Sequence, residues 1–213
     1  MKNNKLLLII TSIVILLPIV FGLIVWDKLP EQIATHWGVD GNPDSYSSRE
    51  SAVFGLPAVL FVVQWLAAFI TSKDPKNKEN NKKPKELVFF LIPAVSLVVS
   101  AMMYATALGN EVRVEMIMPL FLGLMLVVLG NYMPKCRQNY TIGIKVSWTL
   151  NSEENWNATH RFAGKLWMIG GVLVMLCVLL PGIYTFIAFM AVSLIMVIVP
   201  IVYSYQYYKK ENK

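Results

Sequence analysis

Six long apolar runs set the fold class of this chain. They cover residues 6–26, 52–70, 87–108, 116–132, 166–183 and 186–203. Each run is close to the roughly 20 residues that an α-helix needs to cross about 30 Å of hydrocarbon. Charged residues make up 15% of the chain, against about 25% in a soluble domain, and they are crowded between the runs. The pattern predicts an all-α integral membrane protein, a bundle of six transmembrane helices.

The first run could also be a secretory signal, because Lys2 and Lys5 give it a basic start. Its apolar stretch is longer than the apolar region of a cleaved signal, and no small-residue cleavage site follows Trp26. We therefore interpret the run as an uncleaved signal anchor.

The distribution of lysine and arginine predicts that both termini lie in the cytoplasm. With the N-terminus inside, all but three of the 19 basic residues fall in cytoplasmic segments, where membrane proteins concentrate them. The three exceptions are Lys28, Arg49 and Arg113. Membrane topology thus explains the net charge of +6, and we expect no direct nucleic-acid partner.

Each apolar run contains or borders a proline. The six are Pro18, Pro57, Pro93, Pro119, Pro181 and Pro200. A proline removes a backbone donor and tends to kink its helix, so we expect bent, packed helices, with a mobile gate built on the kinks as the alternative. No Asp, Glu, Lys, Arg or His lies inside the runs, which argues against an ion-coupled transporter.

The segment at 71–86 is rich in lysine and asparagine and contains two prolines. Such a composition cannot bury a core, so we predict a flexible, basic cytoplasmic linker that can touch anionic headgroups. The linker divides the chain into a two-helix module at 1–70 and a four-helix module at 87–213. The second module contains a large loop at 133–165.

The first loop, at residues 27–50, holds turn-forming residues at Pro30, Gly38, Gly41 and Pro43. They indicate specific turns rather than a flexible connection, so we predict a structured outer loop. His36 in this loop has no second histidine or cysteine nearby, and we interpret it as a hydrogen-bonded structural residue.

Asp40, Asn42 and Asp44 imitate the opening of a calcium-binding loop. However, Ser45 stands where the glycine of such a loop belongs, and Ser51 replaces its bidentate glutamate. The pattern therefore does not favour calcium.

The 133–165 loop is predicted to be structured and cytoplasmic. Residues 140–148 have too few consecutive apolar residues to span a membrane, so we expect them at the interface. Asn151 followed by Glu154 resembles a capping box at the start of a helix. The side chains that then share one helical face are those of Glu153, Trp156, His160 and Ala163. We predict a short interfacial helix that leads into the fifth run.

The sequence holds no clear motif for catalysis or for binding a metal or cofactor. Glu153 and His160 come nearest to an acid–base or metal pair, but neither an H-E-x-x-H motif nor a third ligand at useful spacing accompanies them. Cys136 and Cys177 do not form a disulfide or zinc pattern. We predict that the protein is not an enzyme and uses no cofactor or metal.

Both loops resemble segments of a known family. The first loop contains Leu29-Pro30, Ile33, His36-Trp37, Gly41 and Asp44 and resembles the membrane module DUF1648. The second contains Asn139, Ile142-Gly143-Ile144-Lys145, Trp148-Thr149, Trp156, His160-Arg161 and Gly164 and resembles the signature of the SdpI family. All of these residues except Leu29, Ile33, Ile142 and Ile144 are our candidate functional residues.

The resemblance implies an immunity protein of the bacterial cytoplasmic membrane. The family's best-known member protects its producer from a secreted, membrane-active toxin peptide and signals by holding a repressor at the membrane. A toxin peptide is thus the expected outer partner, a cytoplasmic repressor the inner partner, and the lipid bilayer the surroundings. The alternatives are a passive permease or channel for a small solute, and a structural or regulatory subunit of an envelope complex.

The chain departs from the family pattern in two places. Where the family commonly has Arg-Thr-Pro-Trp-Thr, this chain has Lys145-Val-Ser-Trp-Thr149. Lysine keeps the positive charge but lacks the bidentate fork of arginine. The first loop also carries a fuller motif, with His36 and Trp37, than a minimal immunity protein.

Overall fold

The computed structural model describes residues 2–76 and 82–211 of the chain. Within these ranges, six helices are long and apolar enough to cross a membrane. The qualifying stretches are Lys5–Ile24, Ser51–Lys73, Glu86–Ala107, Val114–Lys135, Glu153–Leu179 and Ile183–Glu211. The prediction of an all-α membrane protein with six spanning helices is confirmed.

Seven α-helices and two short strands follow one another along the described parts of the chain. They are α1 (Lys2–Ile24), β1 (Gln32–Trp37), β2 (Pro43–Ser48), α2 (Leu56–Lys73), α3 (Lys82–Ala107), α4 (Val114–Tyr132), α5 (Ser147–Asn151), α6 (Glu153–Leu176) and α7 (Ile183–Glu211). A π-helical turn at Ser51–Gly55 leads into α2.

The predicted interfacial helix and the fifth spanning helix form one continuous element, α6. Its N-cap is Ser152, whose hydroxyl accepts a hydrogen bond from the backbone N–H of Asn155 at 3.1 Å. The predicted cap, Asn151, is wrong, because it is the last residue of the five-residue helix α5. The backbone becomes extended only at Ser152 (φ −126°, ψ 118°), and an extended residue is what a cap requires.

The chain forms two compact units. Unit 1 consists of Met1–Phe69 and Glu86–Val114, and unit 2 consists of Ile70–Lys85 and Glu115–Lys213. Accordingly, α3 belongs largely to the first unit, although it follows the linker in sequence. The predicted modules at 1–70 and 87–213 divide the chain at a different place.

In unit 1 the 27–50 loop folds into an antiparallel β-hairpin, in which Ile33 pairs with Ser47 and Ala34 with Tyr46. The hairpin packs on a buried apolar cluster. The members of the cluster are Leu29, Ile33, Ala52, Val53, Met103 and Tyr104. We predicted a structured loop but no strands, because neither strand alternates apolar and polar residues. The Asp40-Gly41 pair, which favours a turn, was the available part of the signal.

In unit 2 the helices α4 and α6 approach each other through glycines. A methyl group on Gly123 would lie 2.5 Å from the carbonyl oxygen of Gly171, and one on Gly130 would lie 2.7 Å from that of Gly164. Any larger residue would force the two backbones apart. On each helix the two glycines are seven residues apart, so they lie on one face, and small residues on such a face let the backbones of membrane helices approach closely.

The predicted linker at 71–86 is helical at both ends, because α2 continues to Lys73 and α3 begins at Lys82. Between them, Asp74 and Lys76 make hydrogen bonds with the 133–165 loop. Residues 77–81 lie outside the described residues.

Candidate functional site

Asn139 organises the start of the 133–165 loop from a buried position, with 1% of its surface exposed. Its side-chain oxygen accepts hydrogen bonds from the backbone N–H groups of Thr141 (2.8 Å) and Ile142 (2.6 Å). Its amide nitrogen donates to the carbonyls of Arg137 (2.8 Å) and Ile142 (2.9 Å). Such an Asx-type turn fixes the backbone locally, so Asn139 acts as a structural residue of the loop.

Gly143 brings the loop against α6. Its backbone has φ +124°, a conformation that residues with a side chain rarely adopt. A Cβ atom there would also lie 2.9 Å from the Trp156 ring and within 2.5 Å of Nε2 of His160. Only glycine can therefore occupy this position without displacing both rings.

His160 and Trp156 form a stacked pair, with ring centroids 4.0 Å apart and planes inclined by 19°. Nε2 of His160 accepts a hydrogen bond from the backbone N–H of Ile144 at 3.0 Å. A carbonyl can only accept, so Nδ1 carries the proton and donates to the carbonyl of Trp156 at 2.8 Å. Trp156 donates its indole N–H to the carbonyl of Cys136 at 2.8 Å.

His160 is thus a neutral residue with both nitrogens engaged by backbone groups. Glu153, which the sequence paired with it, is exposed. The two residues do not form an acid–base pair. The described residues also contain no group of three or more His, Cys, Asp or Glu side chains that could hold a metal ion.

Thr149 and Trp148 shape the short helix α5. The Thr149 hydroxyl accepts from the N–H of Val146 at 3.1 Å and contacts the carbonyls of Val146 and Ile144 at 2.9 Å. The Trp148 ring packs on Tyr205 of α7, with a centroid distance of 5.3 Å. Its indole N–H is buried without a hydrogen-bond partner, which is uncommon for a tryptophan.

Lys145 and Arg161 are the two basic residues of the motif, and both are exposed. Nζ of Lys145 donates to the carbonyl of Tyr140 at 3.3 Å. Nε of Arg161 donates to the carbonyl of Asn157 on its own helix, also at 3.3 Å. Within residues 2–76 and 82–211 neither side chain forms an ion pair with a carboxylate, so both present their charge to the surroundings. Gly164, the last motif residue, belongs to the α4–α6 contact.

Two further polar groups that support the loop were not singled out in the sequence. The first is Asn155, which is fully buried. It donates to the carbonyl of Ser204 on α7 at 3.0 Å and accepts from the hydroxyls of Ser204 (2.8 Å) and Thr159 (3.0 Å). The first turns of α6 are rich in polar residues, so no local pattern distinguishes Asn155 from its neighbours.

The second group comes from the linker. Asp74 accepts hydrogen bonds from the N–H of Tyr140 (2.8 Å) and the hydroxyl of Thr141 (3.0 Å). Lys76 donates to the side chain of Gln138 (3.1 Å) and to the carbonyl of Leu150 (3.0 Å). We call Asp74 and Lys76 the clamp. Nothing in the linker composition distinguishes these two charges from their neighbours.

Cys136 lies beneath this network and is 5% exposed. Burial raises the pKa of its thiol to about 11. The thiol therefore stays protonated at neutral pH and is a poor nucleophile.

The residues predicted in the 27–50 loop lie on the hairpin. Nδ1 of His36 contacts a carboxylate oxygen of Asp44 at 2.5 Å, which agrees with a hydrogen-bonded role for His36. Trp37 packs against the buried cluster, and Gly41 has φ +80° in the turn. Pro30 is exposed.

In the turn of the hairpin, the carboxylate of Asp40 forms hydrogen bonds within the turn itself. The carboxylate of Asp40 accepts hydrogen bonds from the backbone N–H (3.1 Å) and the side chain (2.8 Å) of Asn42. These bonds lower the pKa of Asp40 below its ordinary value. The turn therefore favours the ionised form of Asp40.

Comparison with known proteins gives two family matches and two relatives. The SdpI/YfhL protein family model matches residues 135–204, and the model of the domain of unknown function DUF1648 matches residues 13–61. The Immunity protein SdpI of Bacillus subtilis (strain 168) is 29% identical over 216 residues, covering 100% of this chain and 99% of that protein. An uncharacterized protein of Archaeoglobus fulgidus is 33% identical over 80 residues, covering 35% of this chain and 44% of that protein.

No solved structure matches the chain. The two family matches fall on the two loops described above, in the expected order, and the Bacillus subtilis relative extends the similarity across the whole length. The chain is therefore a six-helix membrane protein in which a segment that matches the DUF1648 model precedes one that matches the SdpI/YfhL family model, and which is similar over its whole length to an immunity protein.

Proposed function

We propose that this protein confers immunity on a bacterium against a secreted, membrane-active toxin peptide and passes the presence of the peptide to a cytoplasmic regulator. The full-length similarity to an immunity protein supports this function. The observation that carries the proposal is the 133–165 loop. It combines an internally bonded core with outward-facing basic side chains, as a fixed recognition surface requires.

In this proposal the 133–165 loop faces the cytoplasm and the hairpin faces outward, in the bacterial plasma membrane. The distribution of basic residues supports this orientation. Lys145 and Arg161 then offer unpaired positive charges to an acidic surface of the regulator, while Asn139, Gly143, Thr149, Trp156 and His160 hold the backbone that presents them. We propose no chemical reaction, because the buried polar groups of the loop and of α6 bond to the backbone or to one another rather than converge on an open site.

Complementation tests the proposal. Bacillus subtilis cells that lack Immunity protein SdpI would be given this chain, and their survival would be measured beside cells that keep the protein. Survival well above that of cells with an empty vector is expected. A chain that reaches the membrane in normal amount but gives no survival advantage would contradict immunity as its function against that agent.

The signalling part has its own readout. A cytoplasmic regulator that binds the loop should be recovered with the membrane fraction when the wild-type chain is present. Substitution of Lys145 or Arg161 should release it. If the chain protects cells but does not change the membrane-bound fraction of cytoplasmic proteins, immunity is supported and signalling is refuted.

A further inference from the structure

Unit 1 contains a cavity of about 440 Å³ between α1 and α3, a size typical of ligand pockets. Its lining is mainly apolar. The lining side chains include Leu17 and Phe21 of α1, Leu97 and Ala101 of α3, and Leu108, which directly follows α3. A hydrophobic occupant is therefore expected.

Three hydroxyl groups follow one another at intervals of four residues along α3, at Ser96, Ser100 and Tyr104, so they share one face of the helix. Ser96 donates to the carbonyl of Ile15 and Tyr104 to that of Pro18, each at 2.9 Å. Two of the three hydroxyls thus bind backbone carbonyls of the neighbouring helix α1.

Ser100 lies between these two residues and has no such bond. Its side chain is 1% exposed and lines the cavity, and its hydroxyl has no hydrogen-bond partner. A buried polar group without a partner is costly. The wall of the cavity therefore contains a buried hydroxyl that is placed like its two neighbours but lacks the helix carbonyl that they bind.

The depth of Ser100 indicates what would satisfy it. Seven residues separate it from Ala107, the end of α3, which places it about 10 Å below that end of the helix. A lipid acyl chain offers no acceptor at this depth, since its ester oxygens lie at the headgroup boundary. A helical peptide offers backbone carbonyls along its whole length, and those of Ile15 and Pro18 already accept such bonds from α3.

We propose that this cavity docks an apolar helical peptide segment, with the Ser100 hydroxyl donating to a backbone carbonyl of that segment. The inference deepens the proposed function, on which it rests, by giving the toxin peptide a binding site within unit 1. The predicted topology would make the cavity open toward the outer half of the membrane.

Fluorescence quenching on the full chain in lipid nanodiscs of phosphatidylethanolamine and phosphatidylglycerol tests the site. A bimane label is attached at Ala101→Cys, which lines the cavity, or at Ala58→Cys, an exposed control position on α2. The probe is a synthetic helix of leucine and alanine with a central tryptophan, which quenches bimane on contact, and with lysines at both ends. Cys136 and Cys177 are replaced by alanine in both samples.

We expect saturable quenching at position 101, at a peptide concentration at least threefold lower than the one needed for quenching at position 58. Ser100→Ala should weaken it about threefold, the effect of losing one hydrogen bond between membrane helices. Equal quenching at the two positions would overturn the proposal. In a second arm of the experiment, the nanodiscs contain a phospholipid with a nitroxide on its acyl chain. If this lipid quenches the label at position 101 and the peptide cannot displace it, a lipid occupies the cavity and the proposal is refuted.

The outcomes separate this site from the proposed function. Peptide docking at position 101 in a chain that gives no protection would leave the cavity site standing and contradict immunity. Protection by a chain whose cavity excludes the peptide would leave immunity standing and contradict the cavity site. Thermal unfolding of each variant shows whether a loss of quenching comes from loss of the fold.

Discussion

The backbone N–H of Ile144 donates a hydrogen bond to Nε2 of His160 at 3.0 Å. This bond joins a loop residue to a spanning helix and consumes the only lone pair that the neutral ring could offer to a metal or a proton. The histidine of the family motif is therefore explained by loop placement rather than by chemistry. The residue that permits the bond is Gly143, which lets the loop come close enough.

Gly143→Ala should disrupt the 133–165 loop. The backbone at φ +124° disfavours any side chain, and the new methyl group would collide with His160. We expect a loss of about 2 kcal/mol or more in stability, seen as a lower unfolding temperature in detergent and faster tryptic cleavage at Lys145. The matched control is Gly55→Ala, where an added methyl group meets nothing within 4 Å. Equal behaviour of the two variants would show that Gly143 is not under this constraint.

Arg161→Lys should reach the membrane in normal amount but lose protection or signalling. Arg161 is exposed and makes its one described hydrogen bond within its own helix, so the fold does not need its guanidinium. A partner that binds it through a bidentate fork would not accept lysine. Abundance by immunoblot and survival are measured in the same cells, with Lys78→Gln in the linker as the control. Full activity of Arg161→Lys would mean that the charge only binds headgroups, a contribution of about 1 kcal/mol that lysine replaces.

Trp148→Ala should likewise lose protection at normal abundance. The indole ring rests on Tyr205 and Tyr208, and its buried N–H has no partner in the described structure. A binding partner that supplies an acceptor would satisfy it. Trp148→Phe keeps the ring contact and removes the N–H, so it should resemble the alanine variant in activity. Retained protection in Trp148→Phe would assign the residue to packing alone.

The orientation can be checked with an impermeant thiol reagent. Ser47→Cys should be labelled in intact cells, and Asn80→Cys only after lysis. The native Cys136 is buried and its pKa is raised to about 11, so it should stay unlabelled at neutral pH in the folded protein. The reverse labelling pattern would exclude a cytoplasmic N-terminus.

The clamp should matter more than the rest of the linker. Asp74→Ala leaves the N–H of Tyr140 and the hydroxyl of Thr141 without their acceptor, and we expect a cost of about 1–2 kcal/mol. Replacing residues 77–81 with a Gly/Ser stretch of equal length should cost little, because it spares Asp74 and Lys76. Tryptic cleavage at Lys145 is the readout. If the Gly/Ser replacement speeds up cleavage and Asp74→Ala does not, residues 77–81 rather than the clamp stabilise the loop, and the prediction is wrong.

The sequence was sufficient for the parts of the structure that depend on composition over about 20 residues, which is why the six spanning helices were predicted. It was insufficient where two distant segments meet. Tyr140 and Asp74 are 66 residues apart, and no local pattern marks either as a partner of the other. Asn139, His160 and Trp156 were recognised by family resemblance, but their role in holding the loop emerges only from the bonds they make.

The glycine contacts between α4 and α6 restrict how unit 2 can change shape. Gly123 contacts Gly171 and Gly130 contacts Gly164, so the two backbones are in close contact where neither helix has a side chain. A slide of one helix along its neighbour would bring a residue with a side chain opposite a main-chain carbonyl at one or both of these contacts. We therefore expect α4 and α6 to move together as one rigid pair, and a change of shape in unit 2 to involve α7 or the loop rather than a slide between these two helices.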